Sequence, residues 1–359
     1  MMRGMIVMIC LACPMQMAFA VEAESDVPVR GLHVLGPYSH NDVALCERFI
    51  REVLPKEGIN TLVMELDYSF QFRSHPELTD EGAMDRDDVR RLSKACRDVG
   101  VKLIPELNCL GHQSWGKESG ALLRKYPQFD ETPKLAPDTK GIYCRSWCPL
   151  APGLHEVVFD LLDELADACE SDAVHCGMDE VFLIADPACP RCHGKDPAEL
   201  FAAEVTLLHD HLKAKGRTMW MWGDRFLDGK TTGMGKWEAS EVGTHPAADK
   251  VPKDIVICDW HYDKAWPTPE FFVKKGFRVL ACPWRKSEVA LAQLNLIRET
   301  HGLGMLQTTW VAFPDFARAY FGGDPTRPTL PVPAPTAAAV ESVACFRALC
   351  TATRGETAP

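Results

Sequence analysis

Basic residues are scarce in this chain relative to acidic ones. Its 359 residues include 39 Lys and Arg against 50 Asp and Glu, a formal net charge of −11. Proteins that bind nucleic acids or anionic membranes need a basic surface that displaces counterions from phosphates, so this balance argues against both partners. Beyond the first 20 residues there is also no apolar run of the roughly 20 residues that a transmembrane helix needs. We therefore expect no membrane span.

Signatures of nucleotide chemistry and of serine hydrolases are absent as well. No Walker motif, dinucleotide fingerprint or serine-nucleophile motif is present, and Gly233-Met234-Gly235 lacks the third glycine and the strand context of a phosphate-binding loop. No repeat of the solenoid kind occurs. The sequence predicts no cofactor.

The first 20 residues have the pattern of an export signal. Arg3 supplies a positive charge, residues 5–13 are apolar, and Ala18-Phe19-Ala20 offers a small-residue cleavage site. We predict a cleaved signal peptide over residues 1–20 and export to the periplasm or the extracellular space. A lipoprotein attached through Cys13 is the alternative.

Short apolar segments recur at fairly regular spacing after this signal, and each ends in a polar or aromatic cluster. Near-continuous apolar character is typical of parallel strands that are covered on both faces. Eight such segments are present, the number that a closed α/β barrel needs. They are residues 30–35, 60–66, 101–107, 172–178, 217–222, 254–259, 277–282 and 304–309. The predicted fold class is a (β/α)₈ TIM barrel.

Amphipathic helical patterns alternate with these segments, and most place polar side chains opposite an apolar stripe. Clear examples are residues 42–54, 87–99, 154–170, 197–215 and 287–301. Glycines at positions 100, 216 and 276 stand between a helix and the next strand, where helices commonly end. We predict one catalytic barrel domain over residues 21–324. Residues 325–359 are predicted to form a proline-rich connection and a C-terminal helix.

The active site of such a barrel lies at the carboxyl ends of its strands, so the residues that follow each apolar segment are the candidates. Aromatic faces stack on pyranose rings, while carboxyl groups bond hydroxyls and transfer protons. Both residue types are concentrated at the predicted strand ends: Glu65, Asp67, Glu106, Asp179, Glu180, Asp224, Trp222, Trp260, Trp284 and Trp310. This concentration favours carbohydrate chemistry.

Two segments carry a specific resemblance. His175-Cys-Gly-Met-Asp179-Glu180, after the fourth strand, resembles the His-x-Gly-x-Asp-Glu signature of family 20 glycoside hydrolases, the β-N-acetylhexosaminidases. Pro105-Glu106-Leu-Asn-Cys-Leu-Gly-His112, after the third, is similar to the Pro-Glu-x-Asp-x-Pro-Gly-His segment of that family. Both segments follow the strand that the family would require.

The adjacency of Asp179 and Glu180 has a chemical consequence. In a conventional retaining glycosidase two carboxyl groups about 5 Å apart flank the scissile bond, and two neighbouring residues at one strand end cannot do so. In the family that this chain resembles, the nucleophile is the 2-acetamido oxygen of the substrate. The resemblance therefore implies a retaining exo-β-N-acetylhexosaminidase that removes terminal N-acetylglucosamine or N-acetylgalactosamine from an oligosaccharide or glycan.

The same resemblance implies roles for individual residues. Glu180 would be the general acid and later the general base, and Asp179 would hold the acetamido N–H. Tyr262 would bond the acetamido oxygen, and His112 would support the hydrogen bonds of the acid. The remaining predicted substrate-binding residues are Trp222, Trp284, Trp310, Glu106 and His175.

Several departures from the family pattern keep other functions open. Residues 36–40 lack the arginine that grips sugar hydroxyls in the family, Asn108 replaces an aspartate, and Trp310 is not followed by the usual glutamate. One alternative is a non-catalytic carbohydrate-binding barrel. Another is a barrel glycosidase that pairs Glu180 with Glu65 or Glu106 and acts on sugars without an acetamido group.

The segment Cys189-Pro-Arg-Cys192-His193 also matches the C-x-x-C-H pattern of covalent haem attachment. It lies in a predicted loop of a continuous barrel pattern, which leaves no separate haem domain. A loop disulfide is more plausible, as is zinc bound with Cys144 and Cys148, which requires the two loops to meet. We predict no metal ion among the catalytic and substrate-binding residues.

Overall fold

The computed structural model describes residues 26–322 and 335–355. The predicted signal peptide lies outside these residues and stays a prediction, as do the parts of the predicted connection at 325–334 and 356–359. Eight parallel strands form a closed barrel in which each strand pairs with its neighbours in chain order. They are β1 (Val29–Leu35), β2 (Thr61–Glu65), β3 (Lys102–Cys109), β4 (Ala173–Gly177), β5 (Thr218–Trp222), β6 (Val256–Trp260), β7 (Arg278–Cys282) and β8 (Gly304–Ala312). The predicted TIM barrel is confirmed.

Side chains alternate between the two faces of these strands, as the two-residue period of a strand requires. One apolar cluster fills the barrel, with contributions from Val63, Ile104 and Leu280. A larger cluster packs the outer face against the helices, for example through Leu103 and Leu107 on β3. The strands are covered on both sides, which explains their near-continuous apolar sequences.

Helices surround the barrel in the expected alternation. They are α1 (Val43–Glu52), α2 (Arg86–Asp98), α3 (Ala121–Lys125), α4 (Leu154–Cys169), α5 (Pro197–Ala214), α6 (Gly229–Thr232), α7 (Gly235–Glu238), α8 (Thr268–Lys274), α9 (Ser287–Thr300), α10 (Phe313–Gly322) and α11 (Ala337–Thr353). The start of α2 shows how sequence sets these boundaries: Asp85 and Asp88 form a reciprocal capping box. Among the described residues, the helices include none that is both long and apolar enough to span a membrane.

Helix α10 was not predicted, whereas the final helix was. Pro314 lies in the first turn of α10, where its missing N–H has no intrahelical partner to lose. Phe313 and Phe316 pack edge-on against Phe49 of α1, with ring centroids 5.5 and 5.6 Å apart. This aromatic contact packs α10 against α1, beside α11, in the layer of helices that surrounds the barrel.

Two long connections cover the carboxyl end of the barrel. Residues 110–153 join β3 to α4 and include a hairpin of Ser114–Trp115 and Glu118–Ser119, and residues 178–196 join β4 to α5. The two connections contact each other: the backbone N–H of Asp186 donates to Oε1 of Glu131 at 3.0 Å. Together they determine which side chains surround the ends of β3 and β4.

Candidate active site

A pocket of about 460 Å³ opens at the carboxyl end of the barrel, where the sequence placed the site. Six of the nine predicted site residues line it: Glu180, Asp179, His112, Tyr262, Trp284 and Trp310. The pocket is also lined by Glu65, Asn108, Trp115, Tyr143, Met234, Trp237, Glu238, Trp260 and Asp263. Neither Lys nor Arg is among these described lining residues.

Unusual backbone conformations are concentrated at this mouth. Among the described residues, nine non-glycine residues have positive φ, and six of them lie near the carboxyl ends of barrel strands: Asp67, Leu110, His112, Met178, Glu180 and Trp310. Such conformations cost free energy and persist where the surrounding structure imposes them, most often at functional sites. At the end of β4, Met178 (φ 74°) and Glu180 (φ 46°) flank Asp179. The sharp turn presents two adjacent carboxylates to one pocket.

His112 joins these two carboxylates. Its Nε2 lies 3.2 Å from Oδ2 of Asp179 and 3.4 Å from Oε2 of Glu180. Burial disfavours the charged imidazole, but the charge of Asp179 and hydrogen bonds to both carboxylates outweigh it and raise the pKa of His112 well above its usual value. The two carboxylates therefore favour the charged form of His112, which lies between both acidic side chains.

Asp224, which follows the end of β5, holds the backbone of Glu180. Its Oδ2 accepts the backbone N–H of Glu180 at 3.0 Å and the Nε–H of Arg225 at 2.6 Å. Burial, with the charge of Asp179, raises the pKa of Asp224 to about 6, although Arg225 opposes the shift. This contact fixes the main chain that carries the predicted acid.

Glu106, His175 and Trp222 lie beneath the pocket rather than on its surface. All three are completely buried, and none lines the pocket. Glu106 accepts the indole N–H of Trp222 at 3.0 Å and is paired with His33 at 2.7 Å and His175 at 3.1 Å. Despite its burial, the two imidazoles hold the pKa of Glu106 far below its usual range. The structure thus places these three predicted substrate-binding residues in the floor on which the pocket residues pack, and not on the pocket surface.

Four aromatic side chains form one wall of the pocket. Tyr262 stacks on Trp260 with centroids 5.0 Å apart and meets Trp284 edge-on at 5.5 Å. The indole N–H of Trp310 donates to the hydroxyl of Tyr262 at 2.5 Å, which orients that hydroxyl. Nε1 of Trp260 is buried and has no hydrogen-bond partner among the described residues. The wall thus combines flat apolar faces with polar groups that a ligand can use.

The opposite rim contains aromatic residues that the sequence analysis missed. Trp115, Tyr143 and Trp237 are 55%, 41% and 42% exposed, and Tyr143 meets Trp237 edge-on at 5.0 Å. They lie in long connections rather than at strand ends, so the strand-end rule did not select them. No sequence signal selected them, and it is their shared exposure in the structure that indicates a binding surface.

Acidic groups from β2 complete the floor next to this site. Asp67 accepts the backbone N–H of Asn108 at 2.7 Å and its side-chain amide at 3.0 Å. Burial and the charge of Glu106 raise the pKa of Asp67 to about 6, although Asn108 opposes the shift. Burial, with the charges of Asp67 and Glu106, also raises the pKa of Glu65 well above its usual value. Glu65 therefore lines the pocket as a carboxyl group whose charged form is disfavoured by burial and by its acidic neighbours.

Gly111 provides the first test of this arrangement. A Cβ at this position would lie 2.4 Å from the carbonyl oxygen of Asp179, a contact that requires the backbone to shift. We expect Gly111→Ala to lower kcat/KM on the order of 10²-fold, because small displacements of catalytic groups have effects of this size. Gly322→Ala is the matched control, since its Cβ would meet nothing within 4 Å. Equal activities of the two variants, measured with an aryl N-acetyl-β-glucosaminide, would contradict the proposed geometry.

Comparisons with known proteins show similarity to one family of enzymes. The family model described as "Glycosyl hydrolase family 20, catalytic domain" matches residues 63–292. A beta-hexosaminidase of Vibrio furnissii is 25% identical over 265 residues, which cover 72% of this chain and 37% of that protein. A beta-hexosaminidase of Akkermansia muciniphila is 29% identical over 154 residues, 40% of this chain and 30% of that protein. The chain thus matches about a third of the length of these relatives.

Solved structures share the barrel. The chitobiase of Flavobacterium johnsoniae superposes with a TM-score of 0.62 at 18% identity, covering 92% of this chain and 51% of that one. A beta-N-acetylhexosaminidase from Bacteroides fragilis gives a TM-score of 0.60 at 16% identity, covering 91% and 66%. At such identities the likeness establishes the fold.

Proposed function

Because the chain belongs to glycosyl hydrolase family 20, we propose that it hydrolyses terminal β-linked N-acetylglucosamine or N-acetylgalactosamine with retention at the anomeric carbon. The observation that carries this proposal is the convergence of Asp179 and Glu180 on one aromatic-walled pocket, with His112 bonded to both. A single saccharide ring bound there would contact carboxyl groups on one side and aromatic faces on the other. These are the groups that glycoside hydrolysis needs.

Glu180 is the proton donor in the proposed reaction. It protonates the oxygen of the leaving group, and in the second step its carboxylate takes a proton from the attacking water. Its side chain lines the pocket, its backbone N–H is held by Asp224, and its Oε2 faces His112. These contacts keep the carboxyl group oriented through both steps.

Asp179 steers the nucleophile, which the substrate supplies. The acetamido oxygen attacks the anomeric carbon and forms an oxazolinium ring, whose positive charge a carboxylate beside the acetamido N–H stabilises. Oδ2 of Asp179 is engaged by His112, whereas Oδ1 is buried and has no hydrogen-bond partner among the described residues. This free acceptor is suited to the acetamido N–H.

Tyr262 is the proposed partner of the acetamido oxygen. Its hydroxyl accepts a hydrogen bond from Trp310, which orients it in the wall of the pocket. Burial raises the pKa of Tyr262 well above its usual value, which keeps the phenol protonated as a donor. A donor on the oxygen and an acceptor on the nitrogen would bind the acetamido group in the orientation needed for attack.

The neighbouring carboxylates support this mechanism over a conventional pair. Glu106 is enclosed and paired with two histidines, so it does not reach a sugar. Glu65 lines the pocket, but burial beside Asp67 and Glu106 raises its pKa and disfavours the charged form that a nucleophile needs. The barrel glycosidase that would use either residue on sugars without an acetamido group is therefore disfavoured.

The non-catalytic binding barrel is the second candidate, because residues 36–40 hold no arginine and the described pocket lining contains neither Lys nor Arg. One panel of aryl glycosides separates the candidates. We expect the β-N-acetylglucosaminide or β-N-acetylgalactosaminide to be cleaved, with the β-anomer of the free sugar appearing first by NMR, and the plain β-glucoside and β-galactoside to remain intact. Calorimetric binding of N-acetylglucosamine without turnover would favour the non-catalytic barrel. Equal cleavage with and without the acetamido group would contradict substrate assistance.

A further inference from the structure

Four buried side chains meet outside the pocket, between the two long connections at the barrel mouth. They are Glu131 and Cys148 from residues 110–153 and Cys189 and Cys192 from residues 178–196. Their donor atoms all lie within 4.8 Å of one another. The Sγ atoms of Cys148 and Cys189 are 3.6 Å apart, and the Sγ of Cys192 lies 2.8 Å from Oε1 of Glu131. We call this group the Cys₃Glu cluster.

We propose that the Cys₃Glu cluster binds one zinc ion, which joins the two connections. Zinc in structural sites takes four ligands in a tetrahedron, with sulfur about 2.3 Å from the ion, which separates neighbouring sulfurs by about 3.8 Å. The 3.6 Å between Cys148 and Cys189 is close to that spacing. Three thiolates and one carboxylate supply the complete ligand set.

A second observation points to the same ligand. Oε2 of Glu131 is buried and has no hydrogen-bond partner among the described residues, whereas Oε1 accepts the backbone N–H of Asp186 and the thiol of Cys192. A buried carboxylate oxygen without a partner is costly. A cation at the centre of the cluster would satisfy it.

The charge at the site is partly offset by Arg191. On binding zinc, the three thiols release three protons to solvent, so that three thiolates, one carboxylate and Zn²⁺ carry a net charge of about −2. Arg191 lies against Cys148, and its guanidinium donates to the carbonyls of Gln128 and Asp130. These two bonds hold the cation at the edge of the cluster, and its Nε is buried without a partner among the described residues.

The two rival interpretations of these cysteines leave groups unexplained. A disulfide between Cys148 and Cys189 would leave Oε2 of Glu131 without a partner. Haem attachment requires thiols that are open to the porphyrin, yet Cys189 and Cys192 are buried among protein groups, and Nδ1 of His193 contacts the carbonyl of Cys189 at 2.7 Å. Cys144, the fourth zinc ligand considered from the sequence, instead directs its thiol to the carbonyl of Glu180 at 3.5 Å. Glu131 takes its place.

The inferred role of the ion is structural. Four protein ligands leave no open position for substrate or water, which is the pattern of a structural rather than a catalytic zinc site. The ion would join the connection that carries Tyr143 to the one that carries Glu180. The inference does not depend on the proposed hydrolysis, because metal content is measured without a substrate.

The test is the metal content of the full-length chain produced with zinc in the medium. We expect elemental analysis to find about one zinc per chain, and Cys192→Ala to reduce this to near zero while the control Cys345→Ala, which removes a buried thiol remote from the cluster in α11, retains it. Removal of zinc with a chelator should lower the melting temperature of the wild-type protein. Because Cys192→Ala could also misfold, cobalt reconstitution of the wild-type chain gives a second readout: intense thiolate-to-cobalt charge-transfer absorption.

Four outcomes would overturn the zinc assignment. The first is a metal-free chain with all cysteines titrating as free thiols. The second is a metal-free chain whose mass is lower by two hydrogens, which would indicate a disulfide. The third is iron or copper in place of zinc. Zinc bound equally by Cys192→Ala and the wild type would show that the ion occupies another site.

Discussion

Glu180→Gln is expected to lower kcat for an aryl N-acetyl-β-glucosaminide by about 10²–10⁴-fold, with little change in KM. Glutamine keeps the shape of the side chain and its contact with His112 but can neither donate a proton to the leaving oxygen nor accept one from water. Because the two functions belong to successive steps, no choice of leaving group should restore the full rate. Steady-state kinetics with two leaving groups of different acidity measures the effect.

The control for Glu180→Gln is the same change at Glu299, an exposed residue of α9 outside the pocket. Glu299→Gln should retain wild-type kcat and KM. If both variants turn over at the wild-type rate, Glu180 is not the acid and the proposed mechanism fails. Circular dichroism of both variants checks that a loss of rate is not a loss of fold.

Asp179→Asn is expected to lower kcat by about 10²–10³-fold, the range seen when one electrostatic contact to a developing charge is removed. The amide carries no charge to stabilise the oxazolinium ring. Asn also presents an N–H that competes with the acetamido N–H for the same position. Since the lost interaction is strongest in the transition state, kcat should fall more than KM rises.

A comparison of two substrates makes the Asp179→Asn test specific. Fluorine on the acetyl methyl group withdraws electron density from the acetamido oxygen, so the wild-type rate should fall with fluorination if that oxygen is the nucleophile. The matched control Asp138→Asn, an exposed change in the connection between β3 and α4, should behave like the wild type. A wild-type rate that is insensitive to fluorination, together with an active Asp179→Asn, would remove the role proposed for Asp179.

The strands and the turn after β4 could be predicted because their sequence signals are local. A buried parallel strand needs an apolar run. The turn after β4 is indicated by Gly177 and by the acidic pair Asp179 and Glu180 that follows it. Rules of this kind depend on only a few neighbouring residues. The predicted segments therefore differ from the observed strands by at most a few residues at either end.

The positions that the sequence did not reveal depend on the direction of side chains and on contacts between distant parts of the chain. Glu106 and Trp222 lie at strand ends like the pocket residues, but they point into the barrel and bond each other across 116 positions of the chain. Tyr143 and Trp237 reach the pocket only because the connections that follow β3 and β5 fold over the mouth. Glu131 meets three cysteines because the connections that follow β3 and β4 contact each other, and no spacing rule relates it to them. Information of this kind resides in the tertiary structure rather than in any window of sequence.

The bridge formed by His112 also determines how the electrostatic field of the pocket changes during turnover. When Glu180 gives its proton to the leaving group in the proposed reaction, the trio of His112, Asp179 and Glu180 becomes more negative by one unit of charge. The change appears at the moment when the proposed intermediate acquires its positive ring. The pocket would thus become more attractive to the intermediate than to the incoming neutral sugar, and the added negative charge would disappear when Glu180 takes a proton from the attacking water.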